Sequence, residues 1–212
     1  MSVSHVFFDL DGTLADTDRD IRESWKAAIA DEGLACSDFD AKFIVGPPFD
    51  EMVALLFPDR NEPALVARLK AGFARHYDHD GFPNTREYPG VMDEVRRLKA
   101  QGARVFIVTN KRYAGACAMA RHFGWDRLFD GVYAGDMYLD TLGKLRKPEL
   151  LARLMAELGA RPETSAIVGD TALDFEAARA NGIRSVGVTW GYGRSEELAQ
   201  ADVVCGVLPF PL

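Results

Sequence analysis

The sequence predicts an α/β protein: a mostly parallel sheet with helices on both faces, interrupted by a small inserted helical domain. Three observations predict it. Short apolar runs alternate with amphipathic stretches of helical length from about residue 85 onward. Several runs end abruptly in polar residues, as strands do at the edge where open α/β sheets place their ligands. Between the first run and the second lies a long stretch whose only period is helical.

The first strand is the apolar run Val6-Phe7-Phe8, followed at once by Asp9-Leu10-Asp11-Gly12-Thr13-Leu14. Two carboxylates two residues apart at a strand end are costly to bury without a cation or a proton between them. Asp-Gly after a strand is also an ordinary turn signal. Ile21, Trp25, Ala28 and Ile29 then follow helical spacing, and Leu65, Leu69, Phe73 and Tyr77 recur every fourth residue. The loop Val45-Gly46-Pro47-Pro48 and a short helix over 50–57 lie between them, and a polar segment near His79–Pro83 closes the block. Residues 16–84 therefore read as a helical insertion, with 1–15 and 85–212 as the core.

The core alternates cleanly. Val91, Val95 and Leu98 line a helix that Gly102 stops, and Arg104–Val108 is a buried strand. A helix over 113–123, a weak strand Gly131–Ala134, and a helix carrying Leu150, Leu151, Leu154 and Leu158 come next. Ser165–Val168 is a strand, 172–181 a helix, Ser185–Val188 a strand, and Asp202–Val204 a short edge strand. Such alternation implies right-handed crossovers, which bring the strand C-termini to one edge.

The chain has 212 residues, 48% hydrophobic and 27% charged, enough for a sizeable core. Its net charge of −7 argues against a nucleic-acid partner, whose binding face would be basic. Cys36, Cys117 and Cys205 have neither disulfide-framework nor zinc spacing. The start Met1-Ser-Val-Ser-His lacks the basic region of a signal peptide, and no apolar stretch approaches a membrane span. The expected setting is the cytoplasm, without membrane contact, as a monomer or homodimer.

Four strand ends carry candidate chemistry: Asp9, Asp11 and Thr13; Thr109-Asn110; Lys147-Pro148; and Gly169-Asp170-Thr171 with Asp174 one helical turn later. Each has a plain structural alternative. Thr109-Asn110 could cap a helix, Pro148 could simply open one beside an exposed Lys147, and Asp174 could complement a helix dipole. Four together at strand ends exceed what folding alone requires.

Asp-x-Asp-Gly-Thr, then a Ser/Thr, then a Lys, then Gly-Asp-x-x-x-Asp resembles, in order and spacing, the haloacid dehalogenase-like superfamily. The phosphoglycolate phosphatase-like branch is the nearest in pattern. Phe43-Ile-Val-Gly-Pro-Pro-Phe49 and the stretch from Ala180-Asn-Gly-Ile183 to Gly187-Val-Thr-Trp-Gly-Tyr-Gly193 also resemble that branch. The resemblance implies a Rossmann-like core with a cap domain and a Mg²⁺-dependent phosphatase acting through an aspartyl-phosphate. Asp9 would be the nucleophile, Asp11 the general acid and base, and Lys147 the charge neutraliser. Mg²⁺ would lie among Asp9, Asp11 (through its backbone carbonyl), Asp170 and Asp174, the last chiefly positioning Asp170 or Lys147. Thr13, Thr109, Asn110 and, from the cap, Gly46 and Pro47 would bind substrate. Lys144 competes with Lys147 for the motif position, and Pro148 favours the latter.

The expected substrate is a small phosphorylated metabolite: phosphoglycolate, a nucleotide or a sugar phosphate. Arg22 and Lys42 could hold a second anionic group, although solvated surface charge is the simpler reading; His76 and His79 read as cap surface. A phosphomutase or pyrophosphatase of the same superfamily is an alternative, as is a non-catalytic phosphate sensor. Dehalogenase chemistry is disfavoured because the dehalogenase branch does without the second acid that Asp11 supplies.

Overall fold

Runs rich in Val, Ile and Phe favour extended backbone, and here they build one six-stranded sheet. The structure, a computed structural model, describes residues 3–60, 62–79 and 82–212. From the amino end, β1 (His5–Phe8) precedes the two-residue β2 (Ala15–Asp16). Helices α1 (Asp18–Asp31), α2 (Phe39–Lys42), α3 (Phe49–Leu56) and α4 (Pro63–His79) follow. Next come β3 (Arg86–Glu87), α5 (Val91–Ala100), β4 (Arg104–Thr109), α6 (Tyr113–His122) and β5 (Gly131–Ala134). The chain continues through α7 (Leu139–Leu142), α8 (Lys147–Leu158), β6 (Ser165–Gly169) and α9 (Ala172–Asn181). It ends with β7 (Arg184–Val188), α10 (Ser195–Leu198) and β8 (Val203–Cys205).

The sheet order is β5-β4-β1-β6-β7-β8, with every pairing parallel. Phe7 of the central β1 pairs with Phe106 on one side and Ile167 on the other. Later strands are laid down first on one side of β1 and then on the other. The carboxyl end of β1 is thus the topological switch point, where open α/β sheets bind ligands.

Alternate strand residues face opposite layers. Phe7, Phe106, Val108 and Ile167 meet Leu150, Leu151 and Leu154 of α8 and Ala177 and Ala178 of α9. Val6, Phe8, Val105, Ile107 and Val168, on the other face, are equally buried. Burial on both faces explains why these strands read as continuous apolar runs rather than alternating ones. The weak run 131–134 is the edge strand β5, and β8 forms the opposite edge, one residue later than expected.

Contacts divide the chain into two compact units, Met1–Asp16 with Arg86–Leu212, and Thr17–Thr85. In the second, Trp25 stacks on Phe49 with centroids 4.0 Å apart and also meets Phe43 and Phe73. A Cβ at Gly72 of α4 would lie 3.1 Å from that of Ala28 on α1, so glycine is what lets the two helices come this close. The buried Asp20 carboxylate accepts hydrogen bonds from the N–H and amide of Asn84 and the N–H and hydroxyl of Thr85, at 2.7–3.1 Å. Asp80 and Gly81, in the polar segment expected to close this block, lie outside the described residues. Among the described residues no helix is long and apolar enough to cross a membrane.

Leu151 of α8 is fully buried in the core cluster with sheet residues Phe7, Phe106 and Ile167, so Leu151→Ala removes packing that the rigid layers cannot refill. It should cost about 2–5 kcal/mol, whereas Lys144→Ala, at an exposed position, should stay within about 0.5 kcal/mol. Urea denaturation checks this as a lower midpoint at unchanged slope for Leu151→Ala alone.

Candidate active site

At the carboxyl end of β1 the Asp9 N–H still bonds the Val168 carbonyl at 2.9 Å, extending the ladder with β6 to the first acid. The chain then turns away through Gly12, at φ +83°. Any Cβ there would run into the Asp170 carboxylate. The turn therefore needs glycine for its backbone and for the space it leaves.

Asp170, directly after β6, is fully buried. Its Oδ1 accepts the Thr13 hydroxyl at 3.1 Å and its Oδ2 the Tyr192 N–H at 2.7 Å. Lys147, the first residue of α8, is buried with its Nζ 2.8 Å from Asp9 Oδ1 and 2.6 Å from Asp174 Oδ1. Asp174 Oδ2 accepts the Thr171 N–H and hydroxyl at 3.1 and 3.0 Å, closing a capping box at the start of α9. Both Asp174 oxygens thus have donors: this acid caps its helix and also grips the lysine. Lys144, by contrast, is exposed.

The Asp11 carboxylate takes a different partner. Lys111 Nζ lies 2.7 and 2.9 Å from its two oxygens. Thr109 is buried and accepts the Lys111 N–H at 3.1 Å, while Asn110 is exposed. Neither caps α6, whose first N–H at Tyr113 is held by Asp136 at 2.8 Å. Gly46 and Pro47 lie in the loop between α2 and α3 of the Thr17–Thr85 unit. In that unit Arg22 pairs with Asp18 and Lys42 with Asp38, both at 2.7 Å.

Oxygens of Asp9, Asp170 and Asp174 lie within 4.8 Å of one another. With Asp11 they make four carboxylates against two ammonium groups, Lys111 and Lys147. Burial, followed by the Asp9 and Asp174 charges, pushes Asp170 up to about 8 against the pull of the Tyr192 N–H and Thr13 hydroxyl. Burial, with Asp174 and Asp11 adding, lifts Asp9 to about 6 against Lys147. Burial works to lower Lys147, but Asp174 and Asp9 outweigh it and hold the ammonium well above its ordinary range. A hard divalent cation on these oxygens fits the donor set and offsets the excess negative charge.

Lys111 and Tyr192 are the contributors that sequence reasoning missed. Lys111 follows Thr109-Asn110 directly, but a single lysine carries no spacing signal. Tyr192 belongs to the Trp-Gly-Tyr-Gly stretch, noted as a pattern but not as a brace for Asp170. Trp190 of the same stretch donates its indole N–H to the Thr13 carbonyl at 3.2 Å.

The sequence model of the haloacid dehalogenase-like hydrolase family matches residues 6–188. The chain belongs to that family. This haloacid dehalogenase-like hydrolase is of the phosphoglycolate phosphatase-like branch. It is 31% identical to a phosphoglycolate phosphatase of Cereibacter sphaeroides over 191 residues, covering 88% of this chain and 85% of that one. It is 35% identical over 193 residues to the tyrosine-protein kinase PtkA of Mycobacterium tuberculosis, covering 90% of this chain and 64% of that protein. The chain therefore spans less than two thirds of the length of that relative. The crystal structure of a predicted phosphatase from Clostridium acetobutylicum superposes with a TM-score of 0.83 at 25% identity, covering 97% of this chain and 95% of that one.

The raised acids carry a sign. Without a cation the folded state holds protons on Asp9 and Asp170 that the unfolded chain has lost, so stability falls as pH rises from about 4 towards about 8. A bound divalent cation favours the ionised forms and opposes that loss. Thermal melts with Mg²⁺ and with EDTA should separate progressively across this window. A separation that shrinks with rising pH would exclude a cation at these acids.

Proposed function

We propose that this chain is a Mg²⁺-dependent phosphatase of small phosphorylated metabolites, working through an aspartyl-phosphate on Asp9. The observation that carries the reading is the contact of Asp9 with the buried Lys147, in the same acidic group as Asp170. Asp9 is the carboxylate nearest solvent in that group, with a side chain 11% exposed against 0% for Asp174.

The Asp9 carboxylate attacks phosphorus in line, and the ester oxygen departs with a proton from Asp11. Water then attacks the phosphoryl group, passing its proton to Asp11 and releasing Asp9. Lys147 neutralises charge on Asp9 and the transferred group. The Thr109 hydroxyl, already accepting from Lys111, directs its own proton to a phosphate oxygen. Asp9, Asp170 and the Asp11 carbonyl would hold Mg²⁺, which would supply electrostatic stabilisation of the phosphoryl charge; Asp174 fixes Lys147 in place. Phosphate-monoester hydrolysis is among the slowest uncatalysed reactions, with enhancements reaching ~10²¹, so nucleophile, cation and lysine are all needed.

The Thr17–Thr85 unit serves as the cap, with Gly46 and Pro47 on its substrate-reading loop, stiffened by proline. Replacing Pro47 and Pro48 with alanine should reorder a panel of phosphorylated metabolites while leaving p-nitrophenyl phosphate hydrolysis little changed. One common factor across all substrates would remove the loop from specificity.

Asp9→Asn should retain its fold by circular dichroism and lose turnover to below about one-thousandth of wild type, since an amide cannot replace the nucleophile. Release of free phosphate in the wild-type assay separates hydrolysis from mutase chemistry. Labelling of a protein tyrosine from ATP instead would move the chain to phosphotransfer.

A further inference from the structure

Lys111 lies outside every motif read from the sequence, yet its side chain is only 8% exposed and its ammonium rests on both oxygens of Asp11. The backbone that aims it is fixed by the Thr109 hydroxyl. An ammonium is a point charge without a fixed fork, so it can change partner at little geometric cost. Arg22 and Lys42, by contrast, sit in partly exposed pairs along their own helices, which are weak and solvent-screened.

We propose that Lys111 is a specificity-determining residue: it leaves Asp11 for an anionic substituent on the leaving half of the substrate. The inference rests on the phosphatase reading, in which Asp11 touches the ester oxygen. With Lys111 at 2.7 Å from Asp11, its ammonium lies within two hydrogen-bond lengths, about 6 Å, of that oxygen. A carboxylate one or two carbons from the ester oxygen falls within this reach. The exchange gives the added charge a partner among four carboxylates and frees Asp11 to turn to the leaving oxygen. A neutral leaving group offers Lys111 nothing to exchange for.

Binding of 3-phosphonopropionate and of its uncharged amide, by calorimetry with Mg²⁺, tests this without needing turnover. Wild type should prefer the acid by about tenfold or more. Lys111→Met should erase the preference by weakening the acid alone, and Lys111→Arg should keep part of it. Asp11→Asn should enlarge it, because a charged competitor for the lysine is gone. No preference in wild type, equal weakening of both probes in Lys111→Met, or a reduced preference in Asp11→Asn would overturn the proposal. Should Lys111→Met not fold, the arginine and Asp11→Asn arms decide. Hydrolysis of p-nitrophenyl phosphate, measured in parallel, tests the phosphatase reading separately: no turnover with the preference intact would sink that reading and reduce the lysine to an anion-binding group, whereas turnover without the preference would overturn the lysine's role alone.

Discussion

A buried ammonium between two buried carboxylates sets the terms for the rest of this molecule. Lys147 touches Asp9 and Asp174 at 2.8 and 2.6 Å in a setting nearly closed to water. Removing one member of such a group leaves uncompensated buried charge, at about 3–5 kcal/mol. The same lysine cannot neutralise three acids, and Asp170 is left to burial and two neutral donors. The site is therefore underfilled with positive charge, and that deficit favours a bound cation.

The sheet makes this crowding possible. Parallel strands present their carboxyl ends together, so β1, β4 and β6 deliver Asp9, Thr109 and Asp170 to one edge although they are far apart in sequence. Each acid is then braced from a different segment: Asp170 by Tyr192, Asp174 by its own helix start, Asp11 by Lys111. No acid relies on solvent for its orientation, which keeps the groups preorganised.

Much of this was legible in the chain. The α/β class followed from strands buried on both faces, because such strands read as uninterrupted Val-, Ile- and Phe-rich runs. The two-residue strands β2 and β3 and the four-residue helices α2, α7 and α10 were not legible, being too short to show a period. The acid-bearing strand ends announced themselves because polar groups broke an apolar run. Lys144 and Lys147 share one polar stretch, and only tertiary contact buries one and exposes the other. Lys111 and Tyr192 act through long-range contacts, across 100 and 22 residues, that no local pattern records.

The clasp at Asp20 has a consequence for how this chain came to be assembled. One carboxylate binds Asn84 and Thr85, and in the other unit Ala15 and Asp16 pair with Glu87 and Arg86. The inserted block thus begins and finishes at a single doorway in the covalent chain. To the sheet, everything between the two pairing segments is equivalent to one loop, and the entropy of closing a loop grows only slowly with its length. A block tied off in this way can be lengthened, rebuilt or exchanged for an unrelated one without disturbing strand register. The block can therefore be remodelled at this doorway while the acids stay where the strands put them.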